Sequence, residues 1–215
     1  AKPNEKRDGV EESFRRIFRE YGMPRILLCD NGNPWGTSQS AGYTLFELWL
    51  MGLGVLTIHI RPMRPQTQGK TERFNRSFKE ERLKFYTPCD LVDAQRQRVE
   101  YRDFYNNERP HHALCLDVPA QHYEPSQRLY PEQIAEWEYG PEYELRRIKS
   151  TGFLTYGGQG YFLSEAFGKK TIAIKPSSTD GFVNLYYRQF RIGRINLKEQ
   201  TVVSRRIYLM KDDPR

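Results

Sequence analysis

Two acidic residues stand where carboxylates can do metal chemistry. Asp30 closes the apolar run Arg25-Ile-Leu-Leu-Cys29, which reads as a short buried strand, and it opens Asp30-Asn-Gly32, a turn signal. In open α/β sheets, ligands bind at the carboxyl ends of such strands. Glu72 falls in the first turn of a charged helix, with Asn75, Arg76 and Lys79 on its own face and Phe74, Phe78 and Phe85 marking a face for burial. Singly, each acid has a plain account: Asp-Asn-Gly makes turns unaided, and Glu is favoured at any helix N-terminus. As a pair, a strand-end Asp and a helix-start Glu can converge on one divalent cation. Carboxylate oxygens suit Mg²⁺ (or Mn²⁺), and Mg²⁺ keeps several waters and takes one or two protein oxygens. Two such ions would activate a hydroxyl or water and stabilise the leaving oxygen of a phosphodiester. Lys70, Arg73, Arg76 and Lys79 would neutralise its phosphates.

The elements that must position these residues alternate. Asp8 to Glu11 has the form of a capping box, followed by Val10, Phe14, Ile17, Phe18 and Tyr21 at helical spacing, with Gly22 and Pro24 ending the helix. After the strand 25–29 come a helix over 43–53, a strand over 54–60, a Pro- and Arg-rich loop over 61–69, and helices over 70–86 and 90–107. That alternation predicts an α/β layer with a parallel strand pair. Residues 108–142 read as a Pro-rich linker with one short helix near Glu132–Trp137. From 143 to 215, seven short β-prone runs punctuated by glycines predict a small sandwich or barrel.

Charge follows the same division. Residues 1–140 hold 20 basic and 20 acidic residues, and residues 141–215 hold 14 and 7, so the whole net charge of +7 lies in the β-rich end. A basic module beside a neutral one suits a polyanionic partner. Cys29, Cys89 and Cys115 form no disulfide framework, which points to a reducing, cytoplasmic compartment. The longest apolar stretch, 44–60, contains Glu47, Gly52, Gly54 and His59 and is no membrane span. His111, His112, Cys115 and His122 fit no common zinc spacing.

The stretch Leu28-Cys-Asp-Asn-Gly32, with Arg61-Pro-Met-Arg-Pro-Gln-Thr-Gln-Gly-Lys-Thr-Glu-Arg-Phe-Asn-Arg-Ser-Phe-Lys-Glu80, closely resembles the integrase catalytic core shared by retroviral integrases and many bacterial insertion-sequence transposases. Tyr105-Asn-Asn-Glu-Arg-Pro-His-His-Ala-Leu114 resembles the segment that follows the core in the bacterial members, and the basic β-rich end resembles their small barrel.

The resemblance implies an RNase H-like α/β core over residues 1–107, incomplete at its N-terminus, then a linker over 108–142 and a small all-β barrel over 143–215. It implies DNA strand transfer: processing of element 3′ ends, then attack of the 3′-hydroxyl on target DNA by a homo-oligomer. Asp30 matches the family's second catalytic acid and Glu72 its third, both as metal ligands. The first Asp would lie on a strand upstream of the helix at Asp8, so this chain is expected to lack it, together with the first three strands and an N-terminal DNA-binding domain. The 41 residues between Asp30 and Glu72 exceed the usual family interval, which implies a small insertion around Pro34–Gly42. Arg61 and Arg64 either grip DNA beside the site or sit on an ordinary solvated loop. In the barrel, Arg188, Arg191 and Arg194, interleaved with Tyr186 and Tyr187, suit phosphate contact and stacking, the alternative for the aromatics being burial. Two other activities fit the pattern: a truncated transposase that binds DNA and oligomerises without catalysis, and a nuclease of the same fold. Loss of the neighbouring first strand would expose an apolar edge at 25–29 and favour aggregation.

Overall fold

The computed structural model describes residues 7–29, 42–59, 69–203 and 208–209. Asp30, Arg61 and Arg64 lie outside them, as does the expected insertion around Pro34–Gly42 except Gly42. The chain forms two compact units. Residues 69–125 make one, and the remaining described residues make the other.

The larger unit begins with helix α1, Arg7–Tyr21. It starts upstream of Asp8, whose side chain is outside the described residues, so the expected capping box is not the helix start. Phe14 and Phe18 meet Phe46 and Trp49 of helix α2, Leu45–Gly52, edge-on at 5.4 Å and stacked at 6.0 Å. Such aromatic pairs add to the area they bury. Thr44 caps α2 in a full capping box with Glu47. Strands β1, Ile26–Cys29, and β2, Leu56–His59, pair in parallel with Cys29 opposite His59, as the alternation predicts.

Strand β1 is not the buried strand expected. Ile26 and Leu28 are 50% and 39% exposed, and only Cys29 is buried. The reason is that, among the described residues, β1 pairs with β2 alone, so an apolar run of central-strand type stands at an edge.

Residues 126–142 contain no helix at Glu132–Trp137; they run as an irregular strap, bonded by its first part to the helical layer and through Ala135 and Tyr139 to Arg188 of the β-rich end. Ser126 and Met23 exchange contacts with the chain around Tyr21 and Arg128, and Glu132 holds Arg19 with two bonds of 2.8 and 2.7 Å. Gly22 permits this, because its φ is +74° and a Cβ there would stand 2.2 Å from the Ser126 carbonyl oxygen. Arg128 donates to three carbonyls, those of Pro24 (2.6 Å), Leu53 (3.0 Å) and Gly54 (3.1 Å), which end the first turn and α2.

The β-rich end forms a 6-stranded antiparallel sheet ordered β10-β8-β7-β6-β3, with β9 also on β8, and a separate hairpin of β4 and β5. These strands are β3 Glu144–Arg147, β4 Phe153–Tyr156, β5 Gln159–Phe162, β6 Thr171–Pro176, β7 Phe182–Tyr187, β8 Phe190–Asn196, β9 Thr201–Val203 and β10 Tyr208–Leu209. Closure into a barrel is not among their described pairings. Hairpin and sheet share one core, into which α2 sends Leu48 and Met51. Tyr43 joins it too, bonding the Ile192 carbonyl and exchanging hydrogen bonds of 3.1 Å with Ser164.

In the smaller unit, helix α3 spans Gly69–Phe78 and α4 Leu91–Asn107. The helix expected to continue to Tyr86 passes into a π-helical turn over Lys79–Leu83. Among the described residues, no helix is long and apolar enough to cross a membrane.

Removing the Arg128 guanidinium leaves three carbonyls without their donor. Arg128→Ala is therefore expected to cost about 2–3 kcal/mol, read as a lower thermal midpoint by circular dichroism. An unchanged midpoint would show that the strap does not stabilise the helical layer.

Candidate metal and phosphate surface of helix α3

Helix α3 is anchored on one side only. Phe74 and Phe78 pack against Tyr101 at 5.8 and 5.2 Å, and Phe74 meets Tyr105 edge-on at 5.0 Å. Arg98 of α4 lies 5.8 Å from each of those phenylalanine rings and donates to Asn75 at 3.2 Å. The opposite side carries the cluster expected from sequence. Glu72, Lys70, Arg73, Arg76 and Lys79 are all exposed. Among the described residues no side chain pairs with the Glu72 carboxylate, an oxygen donor at the helix N-terminus where negative charge is favoured. A free, solvent-facing carboxylate of this kind fits a hard divalent cation. The described residues contain no group of three or more His, Cys, Asp or Glu arranged to hold a metal.

The polar clamps that hold α3 to α4 have no counterpart in the sequence reading. Glu81, on the π-helical turn, accepts from the Tyr101 hydroxyl at 2.7 Å and from Arg109 at 2.6–3.2 Å. Arg109 chiefly holds the Glu81 carboxyl below its ordinary range, while burial pushes the Tyr101 phenol up. Arg82 donates to Gln97 and, at 2.6 Å, to Glu100. At the other end of α4, Asp90 caps the helix by accepting from the Asp93 N–H at 2.7 Å. Asp93 in turn accepts from the Cys89 N–H (3.1 Å), the Tyr86 hydroxyl (2.9 Å) and Arg96 (2.6 Å). Those donors, the Cys89 N–H foremost, hold its carboxyl at about 2. The Tyr105–Leu114 segment is also structural here: His111 stacks edge-on against Tyr105 at 4.5 Å and Arg109 covers the same ring. His122 pairs with Asp117 at 3.0 Å.

The three arginines expected in the β-module are not alike. Arg191 is buried at 6% exposure. Arg188 donates to the Ala135 carbonyl at 2.8 Å and lies over Trp137. Arg194 donates to Ser177 at 3.0 Å and lies 4.6 Å from the Phe182 ring. Another pair escaped the sequence reading. Buried Glu47, the capping residue of α2, bonds His59 at 2.8 Å, which puts a His–Glu pair at the carboxyl end of β2, opposite Cys29.

Residues 53–118 match the integrase core domain, and residues 143–203 match the C-terminal domain of the IS481 family transposases. The two segments are thus similar, in that order along the chain, to an integrase domain and to a transposase domain. Similar proteins belong to insertion elements. An uncharacterized 39.2 kDa protein of insertion element IS476 from Xanthomonas euvesicatoria is 33% identical over 100 residues, covering 46% of this chain and 27% of that protein. An uncharacterized 31.7 kDa protein of insertion element IS407 from Burkholderia multivorans is 29% identical over 112 residues, 52% of this chain and 38% of that protein. The chain thus spans well under half the length of these relatives. A chain from the intasome of simian T-cell lymphotropic virus, solved with the PP2A regulatory subunit B56 gamma, aligns with 87% of this chain and 64% of its own at 16% identity and a TM-score of 0.46, a level that decides nothing about the fold.

The Asp93 cluster has a pH signature. Its carboxyl is depressed from an unfolded value near 4, so its stabilisation is complete above about pH 4 and is lost as pH falls toward about 2. Asp93→Asn is expected to flatten the acid limb of helicity loss in that window, followed by circular dichroism. An unchanged limb would mean that other carboxylates govern it.

Proposed function

We propose that this chain is the C-terminal portion of a DNA-strand-transferring transposase, with Glu72 and Asp30 as ligands of Mg²⁺ (or Mn²⁺). One observation carries the reading: the Glu72 carboxylate is exposed and free of described partners on a helix whose far side is clamped by Phe74, Phe78 and Arg98. When bound, the metal would activate the attacking hydroxyl and stabilise the leaving oxygen. The chain's own part is to bind and orient. Lys70, Arg73, Arg76 and Lys79 hold phosphates around Glu72, Arg61 and Arg64 contact DNA, and the β-module adds backbone contacts. Each joining step exchanges one phosphodiester for another. The element's 3′-hydroxyl oxygen bonds the target phosphorus, and the target's own 3′-oxygen leaves and takes up a proton.

On this reading residues 1–107 are an N-terminally incomplete RNase H-like core, 108–142 a connection and 143–215 a small barrel. The partners are element-end and target DNA, the active form is a homo-oligomer because two ends must be joined together, and the protein works in the cytoplasm. A second reading, a DNA-holding and oligomerising module without catalysis, is favoured by the open edge of β1, where Ile26 and Leu28 stand exposed. Strand transfer of a pre-cut element-end duplex into plasmid, with Mg²⁺ or Mn²⁺, separates the two. Activity falling about a hundredfold or more in Glu72→Gln supports the first. No joining by either protein, with duplex binding kept, supports the second.

A further inference from the structure

We propose that a cationic corner of the β-module, made by Arg147, Lys149, Lys169 and Lys170, is the surface on which this part of the chain holds the phosphate backbone of duplex DNA. The proposal rests on the DNA-acting reading above and replaces the arginines of β7 and β8 as its main contacts there. Strand β3 is the end strand of the sheet and pairs only with β6 among the described strands. Ile148, just beyond it, points into the core at 1% exposure, so Arg147 and Lys149 on either side of it both point outward.

The other two cations are brought to the same place by backbone. Ile148 bonds Lys170 and Lys169 through its N–H (2.9 Å) and carbonyl (3.0 Å). The loops on either side are pressed together. A Cβ on Gly152 would lie 2.5 Å from the Ser164 carbonyl carbon, and one on Gly168 would lie 2.8 Å from the Ser150 oxygen. The backbone beneath the corner is therefore closely packed before any ligand arrives. Lys169 itself adopts φ +64°, a left-handed conformation that favours glycine or asparagine. No ion pair is formed by Arg147, Lys149, Lys169 or Lys170 among the described residues, whereas the neighbouring Arg146 is paired with Glu144. The nearest acids along the chain are Glu144, three residues from Arg147 and already paired with Arg146, and the exposed Glu165, four residues from Lys169. By contrast Arg188, Arg191 and Arg194 are engaged or buried.

The competing account is that cations on an end strand only keep it from pairing with other chains. Duplex DNA binding by the 215-residue chain, measured by fluorescence anisotropy across a salt series, decides between them. Lys169→Gly removes one charge and relieves the strained backbone. It is expected to lower the slope of log affinity against log salt by about 1, with a thermal midpoint unchanged or higher. Replacing all four residues (R147A, K149A, K169G, K170A) is expected to lower that slope by about 3–4. Unchanged slopes, with or without self-association of the variants, overturn the proposal. So does a loss carried by Arg188→Ala with Arg194→Ala instead, or a wild-type chain that does not bind duplex DNA. The joining reaction is assayed separately with the wild-type chain, and duplex binding whose slope the four replacements leave unchanged overturns this proposal alone, so the two readings fail separately.

Discussion

The aromatic seam between α3 and α4 fixes everything that the α3 surface can do. Helix α3 has 10 residues with a strongly polar sequence, and a helix that short is marginal by itself in water. Its stability comes from burying Phe78 and half-burying Phe74 against Tyr101 and Tyr105. Once those rings are seated, the rotation of the helix about its axis is set, and with it the outward aim of Glu72, Arg76 and Lys79. The polar clamps then lock the pair at both ends: Glu81 with Tyr101 and Arg109 on one, Asp93 with Cys89, Tyr86 and Arg96 on the other. Each clamp joins a carboxylate to several donors, which for the buried Asp93 is what makes its charge tolerable. The π-helical turn at Lys79–Leu83 sits between the seam and the clamp, and wide turns of this sort are frequent near functional sites.

In the larger unit the comparable constraint is Glu47. Its carboxylate is buried, accepts from the Thr44 N–H at 2.6 Å, and bonds His59 at 2.8 Å. One side chain thus caps α2 and fixes the end of β2. The rest of α2 serves two cores at once. Phe46, Trp49 and Leu50 face the α1 side, while Leu48 and Met51 enter the core of the β-module. That double burial explains why a segment so apolar, interrupted only by Glu47, is an eight-residue helix of a globular protein.

Much of this was legible in the sequence, and the parts that were not share a cause. Helical spacing of apolar residues located α1, apolar runs located α2 and the parallel pair β1–β2, and the charged stretch after Asp90 located α4. Helical spacing also placed Glu72 on the free side of its helix, since Phe74 and Phe78 declare the other side. The apolar run by itself reads the same whether or not a neighbour covers it; the exposed edge at 25–29 was expected only from the family resemblance, which implies a missing neighbouring strand. The sequence reading missed the strap of residues 126–142, which is irregular and held by single contacts such as Arg128 to the Pro24 carbonyl and Arg19 to Glu132. Contacts between residues more than a hundred positions apart leave no local pattern. Asp30 lies outside the described residues, so its relation to Glu72 rests on the sequence resemblance alone.

The arginines of β7 and β8 show how charge counting over-reads a strand. In sequence, Tyr186, Tyr187, Arg188, Arg191 and Arg194 make an interleaved cationic and aromatic run of the kind that meets nucleic acid. In the sheet, the pairing steps from Leu185–Gly193 to Tyr186–Arg191, so Ile192 is the extra residue of a bulge and the alternation of faces breaks there. Arg191 falls on the buried side of that break, while Arg194 is drawn over Phe182 and Arg188 over Trp137. A guanidinium stacked on a ring and bonded to the chain still contributes charge to the long-range field, but its position is held by the protein. The long-range attraction of the module for a polyanion and the places where phosphates are held are therefore separate properties. The first follows from composition, and the second is set by which cations the packing leaves uncommitted.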